Sequence, residues 1–101
     1  MTLTNLTPEP IIIDVVVLQY SHKHGADLEL HRTEAAALRS MADHCSLYIN
    51  DFQRGPADVA EMMKLLASPS LWEEHLPSAW EEYTHEAETF EIFTLPLNLN
   101  E

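Results

Sequence analysis

The sequence predicts an α+β domain: a three-stranded, mainly antiparallel sheet with helices packed on one face. Three observations lead there. Residues 11–22, IIIDVVVLQYSH, are crowded with β-branched side chains, which favour a strand. Residues 26–32 alternate, with Ala26, Leu28 and Leu30 on one parity and Asp27, Glu29 and His31 on the other, as in a strand with one wet face. From Leu38 onward, apolar residues return at steps of three and four, which is the period of an amphipathic helix.

In chain order, Met1 to Pro10 contains two prolines and no periodicity, so residues 1–10 read as a loose lead-in to a single domain over 11–95. Gly25 permits the tight turn that joins the first two strands into a hairpin across Lys23 to Gly25. Thr33 is a suitable N-cap, and Glu34 suits the positive end of the helix that follows. That helix, 35–52, carries Leu38, Met41, Cys45, Tyr48, Ile49 and Phe52 on one stripe. Gly55-Pro56 ends it and starts another, over 57–67, with Val59, Met62, Met63 and Leu66 inward. Ser70-Leu71-Trp72-Glu73-Glu74 is echoed eight residues later by Ser78-Ala79-Trp80-Glu81-Glu82. Both copies fit a capping box, and Pro77 separates them, so two short helices are expected, the second burying Trp80, Tyr83, Ala87 and Phe90. Thr89 to Leu95 alternates as a third strand, and 96–101 should fray as a tail.

The first strand is apolar on both parities, which places it in the centre of the sheet. Helices in so short a chain cover one face only, so Ile11, Ile13, Val15 and Val17 would lie open on the other unless a second copy, a partner, the N-terminal segment or Leu95 to Leu99 covers them. A regulatory or structural homodimer through these residues is therefore one functional reading.

Charge is the outlying property. Seventeen acidic residues meet five basic ones, for a net charge of -12. Residues 65–101 hold eight glutamates and no lysine or arginine. Such a chain lacks the cations that displace counterions from nucleic-acid phosphates, and an anionic membrane would repel it. A basic protein surface is what its field would attract. The one cysteine, Cys45, rules out a disulfide within the monomer and points to a reducing cytoplasm. No signal-peptide pattern is visible, and the longest apolar run is too short to span a bilayer.

The stretch YSHKHGADLELHRTEAAALRSMADHC resembles small phage- and plasmid-type proteins. In these a strand ends in a His-x-His-Gly turn, a second strand and a Thr/Ser-Glu-x-Ala helix start follow, and a Glu/Phe-rich strand closes the domain. The likeness covers residues 15–52 best and 79–95 loosely. It implies a mobile-element origin and an α+β fold, and it carries over no catalytic residue. By size and charge, though by no motif, the chain is also similar to phage proteins that act against host defences, anti-CRISPR proteins among them. Several of these block a basic nucleic-acid channel.

Sites for chemistry are sparse. His22, His24 and His31 could approach one another across the hairpin and hold a metal, but they lack the spacing of a zinc motif. His44 and Cys45 are adjacent on a helix and point about 100° apart, which suits no base–nucleophile pair. Glu81, His85 and Glu88 would share a helix face able to do acid–base work. Phosphate loops and nucleophile elbows are absent from the sequence. The expectation is a non-enzymatic binding module, with no cofactor, that presents an acidic helical face to a basic surface of a nucleic-acid-handling complex. Its partner-binding residues would be Glu74, Glu81, Glu82, Glu86 and Glu88, extended by Asp51, Asp58 and Trp72.

Overall fold

A computed structural model of the chain describes residues 12–98. It is α+β: strands β1 (Ile12–His22) and β2 (Gly25–His31), helices α1 (Glu34–Tyr48), α2 (Pro56–Leu66) and α3 (Trp72–Tyr83), then strand β3 (Thr89–Asn98). Short 3-10 turns at Ile49–Asp51 and Pro69–Leu71 join the helices. The sheet is antiparallel with the order β2-β1-β3, so the doubly apolar first strand is central. The lead-in, Ile11 and the last three residues fall outside the described residues.

β1 and β2 meet through the pair His22↔Gly25, and Gly25 takes a φ of +131°, a conformation that side-chain-bearing residues rarely adopt. β3 runs further than its alternation suggests. Leu95, Pro96 and Leu97 stay paired with Val15, Asp14 and Ile13, so the expected fraying tail is strand as far as Asn98. Pro96 is tolerated because β3 is an edge strand.

Thr33 caps α1 as its sequence implies, its hydroxyl accepting the Ala36 N–H at 3.1 Å. In α2, Met62 is buried and Val59 and Leu66 are half-buried, but Met63 is 58% exposed and Leu65 turns inward instead. The largest departure is α3. Two capped helices do not form; one helix passes through Pro77, and neither serine caps it. An internal proline costs a helix about 3 kcal/mol. Trp72, Leu76, Trp80 and Tyr83 outweigh that cost, because each is at most 3% exposed and full burial of a large apolar side chain is worth about 1.5–3 kcal/mol. The stripe they form continues only through an unbroken helix. Ala87, expected inside, is exposed beyond the helix end, while Phe90 is buried from β3.

The helices cover one face of the sheet. Val16, Leu18 and Phe90 join Leu38, Met41, Cys45, Leu76 and Trp80 in the core, with Tyr20 and Ile92 packed against it. These fix Val16, Leu18 and Tyr20 of β1 and Phe90 and Ile92 of β3 toward the helices. The register then forces an inversion in β2. His31 lies opposite Val16, Glu29 opposite Leu18 and Asp27 opposite Tyr20, so the polar parity of β2 faces the helix layer. Leu28 and Leu30 face away, 63% and 65% exposed. A one-residue slip would exchange the two sets, and the hairpin pairing prevents it.

Candidate functional site

Two groups of carboxylates result, on different sides of the helix layer. The first lies on α3. At 100° per residue, Glu74 and Glu81 point directly away from the buried stripe, and Glu73 and Glu82 flank them. All four are exposed. Among the described residues, none of the four forms an ion pair with a lysine or arginine; Glu74 has His75 at 3.8 Å. On one flank Glu73 meets Glu34 of α1, and this carboxyl contact holds Glu34 above the usual carboxylate range, first by hydrogen bonding and then by like charge. On the other flank Glu82 borders a groove of about 530 Å³ between α2 and α3 that also contains Asp58, Glu61, Arg54 and Lys64. There Asp58 is answered: Arg54 bridges it at 3.3 Å and lies over the ring of Tyr83.

The dipole of α3 separates its glutamates further. Glu73 and Glu74 occupy the first turn, where negative charge is favoured. Glu81 and Glu82 occupy the last turn, where it is disfavoured, and no basic residue is present there.

The second group surrounds a polar cavity of about 490 Å³ between the sheet and α1, lined in part by Tyr20, His22, Asp27, Glu29, Ser40 and His44. Glu88 forms its floor, with a side chain only 15% exposed. Its Oε1 accepts the Trp80 indole N–H at 2.9 Å and lies 3.1 Å from His44 Nε2. Burial pushes the Glu88 carboxyl up, but hydrogen bonds from Tyr20, Trp80 and His44 outweigh it and hold the group below the usual range. Burial and the neighbouring Glu88 together push the Tyr20 hydroxyl far up. Glu29 is held low, first by the Ser40 hydroxyl at 2.6 Å and then by His31 at 2.9 Å. Asp27 lies 3.0 Å from His22. Each carboxylate of this group therefore has a histidine beside it, and each contact becomes an ion pair when that histidine is protonated.

Several expected site residues change position or role. Glu88 is not on a helical face with Glu81 and His85, because α3 ends at Tyr83. The chain then turns through positive φ at His85 (55°) and Glu86 (65°). Thr84, 2% exposed, secures the turn by donating to the Trp80 carbonyl at 3.0 Å and accepting the Glu88 N–H at 3.1 Å. This reversal swings Glu88 inward and leaves Glu86 exposed. Trp72 cannot anchor a partner, since it is 3% exposed and donates to the Leu65 carbonyl at 2.9 Å. Asp51 and Asp58 are exposed, Asp58 in the compensated groove.

The three histidines do not converge. His31 pairs with Val16 and His22 with Gly25, six positions apart along β1, or roughly 20 Å. Among the described residues no group of three potential metal ligands comes together. Cys45 is fully buried, and burial pushes its thiol far up, away from thiolate chemistry. Its neighbour His44 turns to Glu88 and lies tilted against the rings of Tyr20 and Tyr48.

No family model matches the chain, and no curated protein or solved structure was found similar to it. The site must be read from its own geometry. No helix among the described residues is long and apolar enough to cross a membrane.

Proposed function

We propose that this protein is a non-enzymatic binding module whose α3 surface docks on a basic protein surface. In its concrete form it is an inhibitor, of the kind phages direct against host defence complexes, that occupies a surface otherwise used by DNA or RNA. One observation carries the reading: of the four exposed glutamates of α3, Glu74 and Glu81 face away from the buried stripe while Glu73 and Glu82 border it on opposite flanks, and among the described residues none is ion-paired with a lysine or arginine. Two of them, Glu81 and Glu82, stand at the helix end where their charge opposes folding. Acid placed at a cost to stability and left uncompensated is suited to an external cation. The docking residues are Glu74, Glu81 and Glu82, flanked by Glu73 and Glu86. Glu88 and Trp72 serve the interior instead.

The test is capture from lysate of the native host, eluted with rising salt and competed with duplex DNA. The wild type should retain a basic protein that duplex DNA displaces. The variant E74K/E81K/E82K should lose it while keeping the wild-type circular dichroism spectrum. Retention of the same protein by the reversed variant sinks the reading.

A further inference from the structure

The sheet face opposite the helices is the largest feature that the acidic-surface reading leaves unused. It carries Ile13 (47% exposed), Leu28 (63%), Leu30 (65%), Leu95 (47%) and Leu97 (42%), with Phe93 half-buried among them. The register makes these residues contiguous: Leu30 and Phe93 flank Val17 across the ladder, Leu95 lies beside Val15, and Leu97 beside Ile13. Among the described strand residues, Glu91, opposite Gln19, is the one charged residue on this face, toward the hairpin end. We propose that a second copy of this chain covers the face, the two sheets stacking back to back about a two-fold axis.

Three considerations select a second copy. The exposed apolar patch is on the order of 400 Å², within the range that marks interaction sites. With its surroundings, two such faces bury on the order of 1,000 Å², the lower bound of a specific interface. The occupant must also match a face that is flat, apolar and almost uncharged. A basic partner gains nothing here, because the carboxylates that would attract it lie beyond the helices. An identical face is complementary to it, since aligned sheets pack about 10 Å apart through interdigitating apolar side chains. Finally, a chain with a net charge of -12 repels its copies through most of its surface. The back-to-back arrangement brings together the least charged sides and sends both α3 surfaces outward, roughly 40 Å apart.

The sequence alone pointed to Ile11, Ile13, Val15 and Val17 for this contact. Ile13 is exposed, Val15 is half-buried, and Val17 is only 1% exposed between its neighbours. Leu28 and Leu30, turned outward by the inversion of β2, supply the larger share.

Sedimentation velocity over a dilution series from near-millimolar to nanomolar concentration tests the proposal, on the full chain and on L28K/L30K. The wild type should pass from dimer to monomer in the micromolar range. The variant should weaken association by at least ~100-fold, since it removes two buried leucines and places like charges face to face. Both replaced side chains are already exposed, so its melting temperature below the dimer range should match that of the wild-type monomer. A wild type that stays monomeric at every concentration overturns the proposal and gives the face to another occupant, a segment of the chain itself or an apolar partner. A dimer that survives in L28K/L30K overturns it as well. Neither result bears on the α3 reading, which is tested by charge and not by oligomeric state.

Discussion

The carboxylates of α3 and those of the cavity beneath α1 share a chemistry but differ in surroundings. Asp27, Glu29 and Glu88 each lie within 3.1 Å of a histidine. Among the described residues, the one ion-pair contact of Glu73, Glu74, Glu81 and Glu82 is that of Glu74 with His75, and Glu73 has another carboxyl for company. The first set belongs to the architecture: it lines the cavity beside the inverted β2, and Glu88, at the entry to β3, is held to α1 through His44. The second set has no such duty. The net charge of the chain is therefore a poor guide to where its charge acts. On the proposed reading, what separates a docking carboxylate from a structural one is whether the fold supplies it with donors.

The comparison breaks first at Glu88. Glu88→Leu strands the Trp80 indole N–H, inside a residue that is 0% exposed, and leaves His44 without its acceptor. The expected loss is about 1–3 kcal/mol in urea unfolding. Glu74→Gln, on the helix surface, should change stability by no more than about 0.5 kcal/mol. Equal effects would erase the distinction between the two sets.

Acid sharpens it next. Glu29 and Glu88 have folded-state values below their unfolded ones. Their stabilising contribution is complete above the unfolded carboxylate value of ~4.3 and is lost as pH falls through the lower folded values. Glu34 has the opposite sign: its folded value is raised by Glu73, so its contribution is present at low pH and lost as pH rises through that value. Stability of the wild type should fall below pH ~4.3, and E29Q/E88Q should flatten that fall. An unchanged acid limb in the variant would remove these two groups from the account.

The smallest effect has an unusual sign. Glu81→Gln and Glu82→Gln should each stabilise the protein, by ~0.3–1 kcal/mol, because they relieve negative charge at the C-terminal end of α3. Thermal melts at low ionic strength would detect it. A destabilisation would mean that these glutamates have an internal role.

The sequence carried the fold well where pattern and burial agree. The central first strand, the hairpin at Gly25 and the Thr33 cap were all legible from residue type and spacing. It misled where a local signal competed with tertiary packing. The two Ser-x-x-Glu boxes and Pro77 argue for a break at 77, and the aromatic stripe from Trp72 to Tyr83 overrides them. The alternation in β2 was visible, but a period of two does not say which parity faces the helices. That depends on pairing with β1, a non-local fact. Glu88 was misplaced for a related reason. The positive φ at His85 and Glu86 has no glycine to announce it, and the Thr84 hydroxyl bonds that hold the turn are formed only in the folded chain.

The most direct measurement uses two variants with the same change in formal charge, E81Q/E82Q on α3 and D27N/E29Q at the cavity. Association with the captured basic partner would be followed by stopped flow over a range of salt concentrations. E81Q/E82Q should slow association and flatten its dependence on salt, while D27N/E29Q should leave both at the wild-type level and lower only stability. Equal slowing by the two variants would show that net charge alone matters, and that α3 is not the docking surface.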